Sequence, residues 1–237
     1  MRPIELSPRL YSVARLVPQG AVLADVGTDH ALLPVYLIQR GVIGRAIAAD
    51  LREGPLSKAK ANAEKYGLTD RMSFRLCDGL SGISPEETDT IAIAGMGGET
   101  IAAILAAAPW TRDGKHRLLL QPMTSLYDLR AFLSSYGYTI QREHINREDR
   151  RLYVTMEVAA GKCAPYSEGE KWAGRQWKGM ESPLRTDYLD EMLSRADRAL
   201  AGLERSVKEE DAPRREHLRT IVPQVKQLKE EWLSWQS

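Results

Sequence analysis

Short, mainly apolar runs alternate along the chain with longer segments whose apolar residues recur at three- and four-residue steps. The runs at 21–25, 45–50, 72–76, 90–94 and 117–121 are too short for helices and mainly apolar, which predicts strands buried on both faces. Between them, 31–40, 55–66, 99–107 and 127–135 read as helices, with Pro34 in the tolerant first turn of one and Gly67 stopping another. Strand and helix in strict alternation predict an α/β fold, a mostly parallel sheet with helices on both sides. The runs at 139–145 and 153–158 are separated only by the charged segment 146–151, so they are expected as an antiparallel hairpin at one end of that sheet. At the front, Ser7-Pro8 is a cap followed by a proline at the first helical position. The stripe of Leu10, Val13, Leu16 and Val17 then predicts a helix that packs on the sheet edge and lies over its ligand end.

Around residues 161–179 the composition shifts to Gly, Lys, Trp and Glu, which places a domain boundary there: 1–160 and 161–237. Beyond it, Ser182-Pro183 repeats the helix-start signal. One stripe runs through Leu189, Leu193, Ala196, Leu200, Leu203 and Val207, and a second through Leu218, Ile221, Val222, Val225, Leu228 and Trp232. A turn at 211–213 joins them into an antiparallel, coiled-coil-like helical hairpin, with Pro223 expected to bend or break its second helix. Such a hairpin serves packing, dimerisation or the gripping of a large substrate.

Length and charge narrow the classes. The 237 residues hold one α/β domain and a smaller appendage, and 33 basic against 32 acidic residues remove any argument from bulk charge for nucleic acid, leaving local patches. Cys77 and Cys163 have no spaced partners, so neither a disulfide framework nor a metal site is expected. There is no secretion signal and no run long enough to span a bilayer, which predicts a cytoplasmic protein.

The acids carry the chemistry. Asp25, Asp50 and Asp78 each stand at or just past the C-terminal end of a predicted strand, where open α/β sheets bind ligands. Asp50 follows Asp25 by 25 residues, close to the spacing of a ribose-binding carboxylate, and Asp78 is placed to accept from an adenine amine. A dinucleotide fold would need three glycines in the first turn. Here Gly27 is followed by Thr28, Asp29 and His30, and Asp29 would repel a pyrophosphate. A carboxylate there suits the amino group and sulfonium of S-adenosylmethionine.

The stretches Asp25-Val-Gly-Thr-Asp-His-Ala-Leu-Leu-Pro34, Ile93-Ala-Gly-Met-Gly-Gly98 and Leu120-Gln-Pro122 resemble the bacterial tRNA (adenine-22-N1)-methyltransferases. The resemblance covers nearly the whole chain, from Leu6-Ser-Pro-Arg-Leu10 to the terminal helices, although Met123 stands where many relatives carry asparagine. It implies a Rossmann-like class I methyltransferase sheet, S-adenosylmethionine as cofactor, tRNA as substrate and a C-terminal helical domain. The expected cofactor contacts are Asp25, Gly27, Asp29, Asp50, Asp78, Gly79, Gly95 and Gly97, and the residues expected at the reacting base are Asp29, His30, Met96 and Gln121.

Adenine N1 has its own lone pair, so such an enzyme needs positioning and charge stabilisation rather than a strong base. The glycines of 94–98 would let backbone approach a flat base, with Met96 as an apolar wall. Because N1 lies on the pairing edge, the target must be unpaired or extruded. Phosphate contacts are expected from Arg9, from Arg142, Arg147, Arg150 and Arg151, and from Lys171, Arg175 and Lys178 interleaved with Trp172 and Trp177. The chain is expected as a monomer or weak homodimer. Other readings are a methyltransferase of the same fold acting on another RNA or a small molecule, and a non-catalytic RNA-binding or scaffolding protein.

Overall fold

The computed structural model describes residues 4–236 and contains one seven-stranded sheet. Its strands are β1 (Val22–Val26), β2 (Arg45–Asp50), β3 (Met72–Leu76), β4 (Thr90–Gly97), β5 (Arg117–Thr124), β6 (Tyr138–Glu148) and β7 (Arg151–Ala160). The helices are α1 (Pro8–Ala14), α2 (Leu32–Gln39), α3 (Glu53–Lys65), α4 (Gly98–Ala107), α5 (Leu126–Ser135), α6 (Glu168–Ala173), α7 (Arg185–Glu204) and α8 (Ala212–Ser234). The strand order is β3-β2-β1-β4-β5-β7-β6; the first five strands are parallel, while β7 runs antiparallel to both β5 and β6. The order reverses between β1 and β4, and the crevice outside those strand ends is where such sheets take ligands.

Alternation along each strand divides the core between two faces. Leu23, Ala46, Ala48, Ala92 and Leu119 point to the side covered by α1, α2 and α3. Ala24, Ile47, Ile91, Ile93, Leu118 and Leu120 point to the other, where α4, α5 and the C-terminal helices pack. Apolar side chains on both faces are why these runs read as mainly apolar. The parallel sheet, its covering helices and the terminal hairpin match the expectation. No described helix is long and apolar enough to cross a membrane.

Several boundaries differ from the sequence pattern. β4 does not stop at Ala94 but continues through Gly95-Met96-Gly97, with Met96 opposite Pro122 and Gly97 opposite Thr124 across an irregular register. The demanding glycine is Gly98, where a Cβ would lie 2.3 Å from the Ser125 carbonyl oxygen. β6 and β7 run almost through the charged segment, leaving Asp149 (φ 54°) at the turn. The boundary region contains α6, capped reciprocally by Ser167 and Glu170. α7 starts at Arg185, two residues after Pro183, and Val207 lies beyond its end and is fully exposed, so the first stripe stops at Leu203. α8 continues through Pro223 without a break.

The terminal helices are fastened to the sheet by polar as well as apolar contacts. Tyr188, Leu189 and Trp232 share a core cluster with Leu118, Met156 and Val158. At its heart the fully buried Arg130 of α5 donates to both carboxylate oxygens of Glu143, at 2.7 and 3.1 Å, to the Lys171 and Trp172 carbonyls and to the Tyr188 hydroxyl. Burial works against the Arg130 charge, but Glu143 and Tyr188 outweigh it and hold its pKa above the ordinary value. Removing one member leaves the other charge stranded. Glu143→Ala is therefore expected to destabilise the fold by about 3–5 kcal/mol, and the double change Arg130→Met/Glu143→Leu by much less; chemical denaturation of the three proteins measures the difference.

Candidate functional site

At the C-terminal edge of β1, β2 and β4 two hollows meet. The larger, about 580 Å³, is lined by Arg9, Asp25, Gly27, Asp29, Asp50 and Glu148, among others. The smaller, about 160 Å³, is lined by Cys77, Asp78, Gly79 and Thr100 together with Gly27 and Asp50. Both also share Arg52 and Met96, so they are the two arms of one crevice with a waist at Met96. The waist depends on Gly27, which has φ 72°: a Cβ there would lie 2.0 Å from Met96 Cε. Glycine is thus required by the left-handed backbone, while the flexible Met96 tip packed against it fills the space a side chain would take.

Asp25, the last residue but one of β1, is buried, and among the described residues its side-chain partner is the Thr28 hydroxyl, which donates to its Oδ2 at 2.5 Å. Burial pushes its pKa up to about 6; the Thr28 hydrogen bond opposes this, and the nearby carboxylates of Asp50 and Asp29 add to it. Asp50, also buried, accepts from the Arg52 backbone N–H at 2.8 Å. Among the described residues Asp25 has no ion-pair partner, and Asp50 has only the mostly exposed Arg52, 3.9 Å away, so the crevice floor concentrates negative charge. Asp29 stands exposed at the rim, 3.3 Å from His30 Nε2. His30 and Ala31 both hold left-handed backbone, at φ 59° and 52°. Two such non-glycine residues in a row cost about 1–2 kcal/mol each. The Asn62 amide, donating to the His30 carbonyl at 2.8 Å, pins the turn. Strain of this kind between a strand end and α2 is a mark of a ligand-holding turn.

The opposite wall comes from distant parts of the chain. Arg9 donates from Nη1 to Gln121 Oε1 at 2.6 Å, and the same oxygen accepts the Gly95 N–H at 3.1 Å. The Arg9 backbone N–H donates to Glu148 Oε2 at 2.9 Å. Burial alone would raise the Glu148 pKa, but that bond, the Ser7 hydroxyl and the Arg9 charge hold it below the ordinary value. α1 thus lies over the ligand end of the sheet as expected, carrying a guanidinium into an otherwise acidic hollow.

Of the residues expected from sequence, Asp25, Gly27, Asp29, Asp50, Asp78, Gly79, Gly95 and Met96 all line the crevice. Gly97 and His30 do not: Gly97 is paired in β4 and His30 stands behind Asp29. Gln121 is fully buried, and its amide is occupied by Arg9, Gly95 and the Pro122 carbonyl, so its side chain holds the wall together. Arg9 faces the crevice rather than open surface. Arg147, Lys171 and Arg175 are engaged in ion pairs with Asp187, Glu168 and Glu170. Thr28 and Glu148 were missed. A threonine three residues after an acid in a tight turn is a readable local signal; Glu148 joins the site only through the sheet.

Residues 6–156 match the methyltransferase domain model. The chain is 42% identical over 161 residues to the tRNA (adenine(22)-N(1))-methyltransferase of Bacillus subtilis, covering 68% of each chain. The crystal structure of the B. subtilis m1A22 tRNA methyltransferase TrmK superposes with a TM-score of 0.85 at 31% identity, covering 95% of this chain and 99% of that one. Streptococcus pneumoniae Sp1610 in complex with S-adenosyl-L-methionine gives 0.81 at 33% identity, covering 95% and 100%. The fold and the crevice at the β1–β4 reversal are those of a methyltransferase domain. Within that class, the chain belongs to the tRNA (adenine(22)-N(1))-methyltransferase family.

The Asp25 shift has a defined sign. Its folded pKa exceeds the unfolded value of 3.8, so the stability this group contributes is fully present below that pH and lost as the pH rises through about 6. Asp25→Asn is expected to stabilise the ligand-free protein at pH 7.5 by about 2–3 kcal/mol while weakening the binding of a cationic ligand. Thermal melts with and without S-adenosylmethionine test both halves together.

Proposed function

We propose that the protein is an S-adenosylmethionine-dependent methyltransferase that modifies N1 of adenine 22 in tRNA. The observation that carries this reading is the buried, uncompensated Asp25 at the floor of a crevice with Asp50 and Asp78 at successive strand ends, in a chain of this family. Those residues fit the cofactor. Asp78 and Gly79 would meet the adenine, Asp50 the ribose hydroxyls, and Asp25 and Gly27 the cationic methionine arm. Arg9 is the guanidinium placed for the methionine carboxylate, since Arg52 is mostly exposed and leans on Asp50.

When bound, S-adenosylmethionine supplies a methyl group activated on a sulfonium, which the N1 lone pair attacks without prior removal of a proton. The chain's residues then position the base, exclude water and accommodate the positive charge passed to the adenine. Gly95 carries no side chain beside Arg9 and allows a flat ring close to the backbone, and Met96 forms the apolar wall. Asp29 is the carboxylate free to face the ring as it becomes cationic, oriented by His30. Residues 161–237 would grip the tRNA as a domain of their own, with a monomer or weak homodimer at work in the cytoplasm. No competing reading has an observation of its own in the site.

Incubation with labelled S-adenosylmethionine and unmodified tRNA, followed by nucleoside mapping, should place the label in 1-methyladenosine; label in another nucleoside would overturn the substrate. Arg9→Met should weaken cofactor binding about 10–100-fold by isothermal titration, the loss of a charge-assisted contact. Asp29→Ala should lower kcat about tenfold or more with the cofactor Kd little changed. Equal loss of both would move Asp29 into cofactor binding.

A further inference from the structure

The sheet is not closed along its full length. β5 and β7 are paired only through 118–120 against 156–158, although β5 runs on to Thr124 and β7 begins at Arg151. Over the remaining residues β5 is paired only with β4 and β7 only with β6, so the facing edges of the two strands have no ladder partner. Met123, Thr124 and Arg151 on these edges are exposed, so their unpaired backbone groups are open to an occupant that brings donors and acceptors. A cavity of about 510 Å³ fills this split. It is walled on one side by Tyr127 of α5, Trp172 of α6 and Tyr188 and Met192 of α7, and the exposed Arg151 and Arg195 line its open side.

The polar atoms of these rings are already used. The Tyr127 hydroxyl donates to Glu168, Trp172 Nε1 donates to the Met192 carbonyl, and the Tyr188 hydroxyl accepts from Arg130. What remains for an occupant is ring surface, unpaired strand edge, guanidinium and the single exposed carboxylate of Asp128, which turns an anionic group of that occupant toward the arginine end. Arg195 is paired with Glu191, whereas Arg151 makes no ion pair among the described residues. We propose that this split is a second RNA subsite, which receives an unstacked nucleobase next to the target adenosine. A nucleobase presents planar faces to aromatic rings and a donor–acceptor edge to a strand, and its phosphate meets arginine. An added peptide strand would satisfy the edges but has no use for the two arginines.

The split abuts the donor crevice without opening into it. Tyr153, which lines the split, has the Arg9 guanidinium 6.0 Å from its ring centroid, and Pro122 of the split is in register with Met96 of the crevice. No lining residue is common to the two, so a base in the split is a neighbour of the reacting one. Holding that neighbour apart gives the target adenine room to leave its stack. This inference rests on the tRNA substrate proposed above.

The test uses full-length protein and tRNA that is either intact or abasic at one position beside the target. Arg151→Ala/Arg195→Ala and, separately, the cavity-filling Leu152→Trp should each raise the KM for intact tRNA about tenfold or more, with the cofactor Kd and melting temperature unchanged. The double variant should also reduce the salt slope of tRNA binding by about 1.5. Abasic tRNA should bind wild type more weakly, and Leu152→Trp should cost nothing further on that substrate. KM values within twofold of wild type in folded variants, or full additivity of Leu152→Trp with the abasic change, would overturn the subsite. Failure of the wild type to methylate adenine N1 would instead remove the substrate reading.

Discussion

A carboxylate buried at the end of β1 without a cation is the constraint around which the rest of the site is arranged. Asp25 is unfavourable in the ligand-free protein at neutral pH, because burial and two neighbouring acids resist its charge and only the Thr28 hydroxyl supports it. A cationic ligand removes that penalty on binding, so part of its affinity is stored in the empty site. Storing it requires a stiff surround. The neighbouring strands pair Asp25 with Ala48 and Ala92, small residues that allow close packing, and the left-handed turn at His30 and Ala31 is tied down by Asn62.

Strand order then does the positioning. Because β2 and β3 lie on one side of β1 and β4 on the other, Asp50 and Asp78 extend the acidic line in one direction while Gly95 and Met96 face it from the other. In the proposed function, a cofactor along that line would have its ribose and adenine contacts on one flank and its reaction partner on the opposite flank. Among the described residues, Arg9 is the one guanidinium brought into the crevice from outside the Rossmann-like core, and it arrives already oriented by Gln121. The neutral amide orients the guanidinium without pairing its charge, and the Glu148 carboxylate, which feels that charge, is held by the Arg9 backbone N–H instead.

What was readable in the sequence follows physical range. Asp25 and Asp50 could be found because an acid at the end of a mainly apolar run is a local pattern, and Asp78 because it stands just past the end of a short strand; β2 and β3 kept their predicted limits. The Gly95-Met96-Gly97 extension of β4 could not, since glycine argues against strand and only pairing with Pro122 and Thr124 draws it in. The Arg9–Gln121 contact joins residues 112 apart, and neither carries a mark of the other. Val207 shows the converse error: it continues a helical stripe by spacing, yet the helix has ended. Periodicity reports a face only while the backbone remains helical.

The C-terminal helices raise a different question, namely why they are fastened by buried arginines where apolar packing alone would cost less. Arg130 reaches the carbonyls of Lys171 and Trp172, and the fully buried Arg185 donates to those of Ala173 and Gly174 at 2.6 and 2.8 Å. Consecutive carbonyls at the end of α6 are thus gripped from both sides, by α5 of the sheet layer and by α7 of the hairpin. Apolar contacts tolerate sliding; hydrogen bonds to four successive carbonyls do not. The register they impose sets where Trp172, Tyr188 and Met192 stand relative to the opening between β5 and β7. Burial depresses the Arg185 pKa, with Arg130 adding to it and Glu143 and Tyr188 opposing, so the arrangement carries a real cost. That cost is intelligible if the position of the hairpin over the split matters more than its bare attachment.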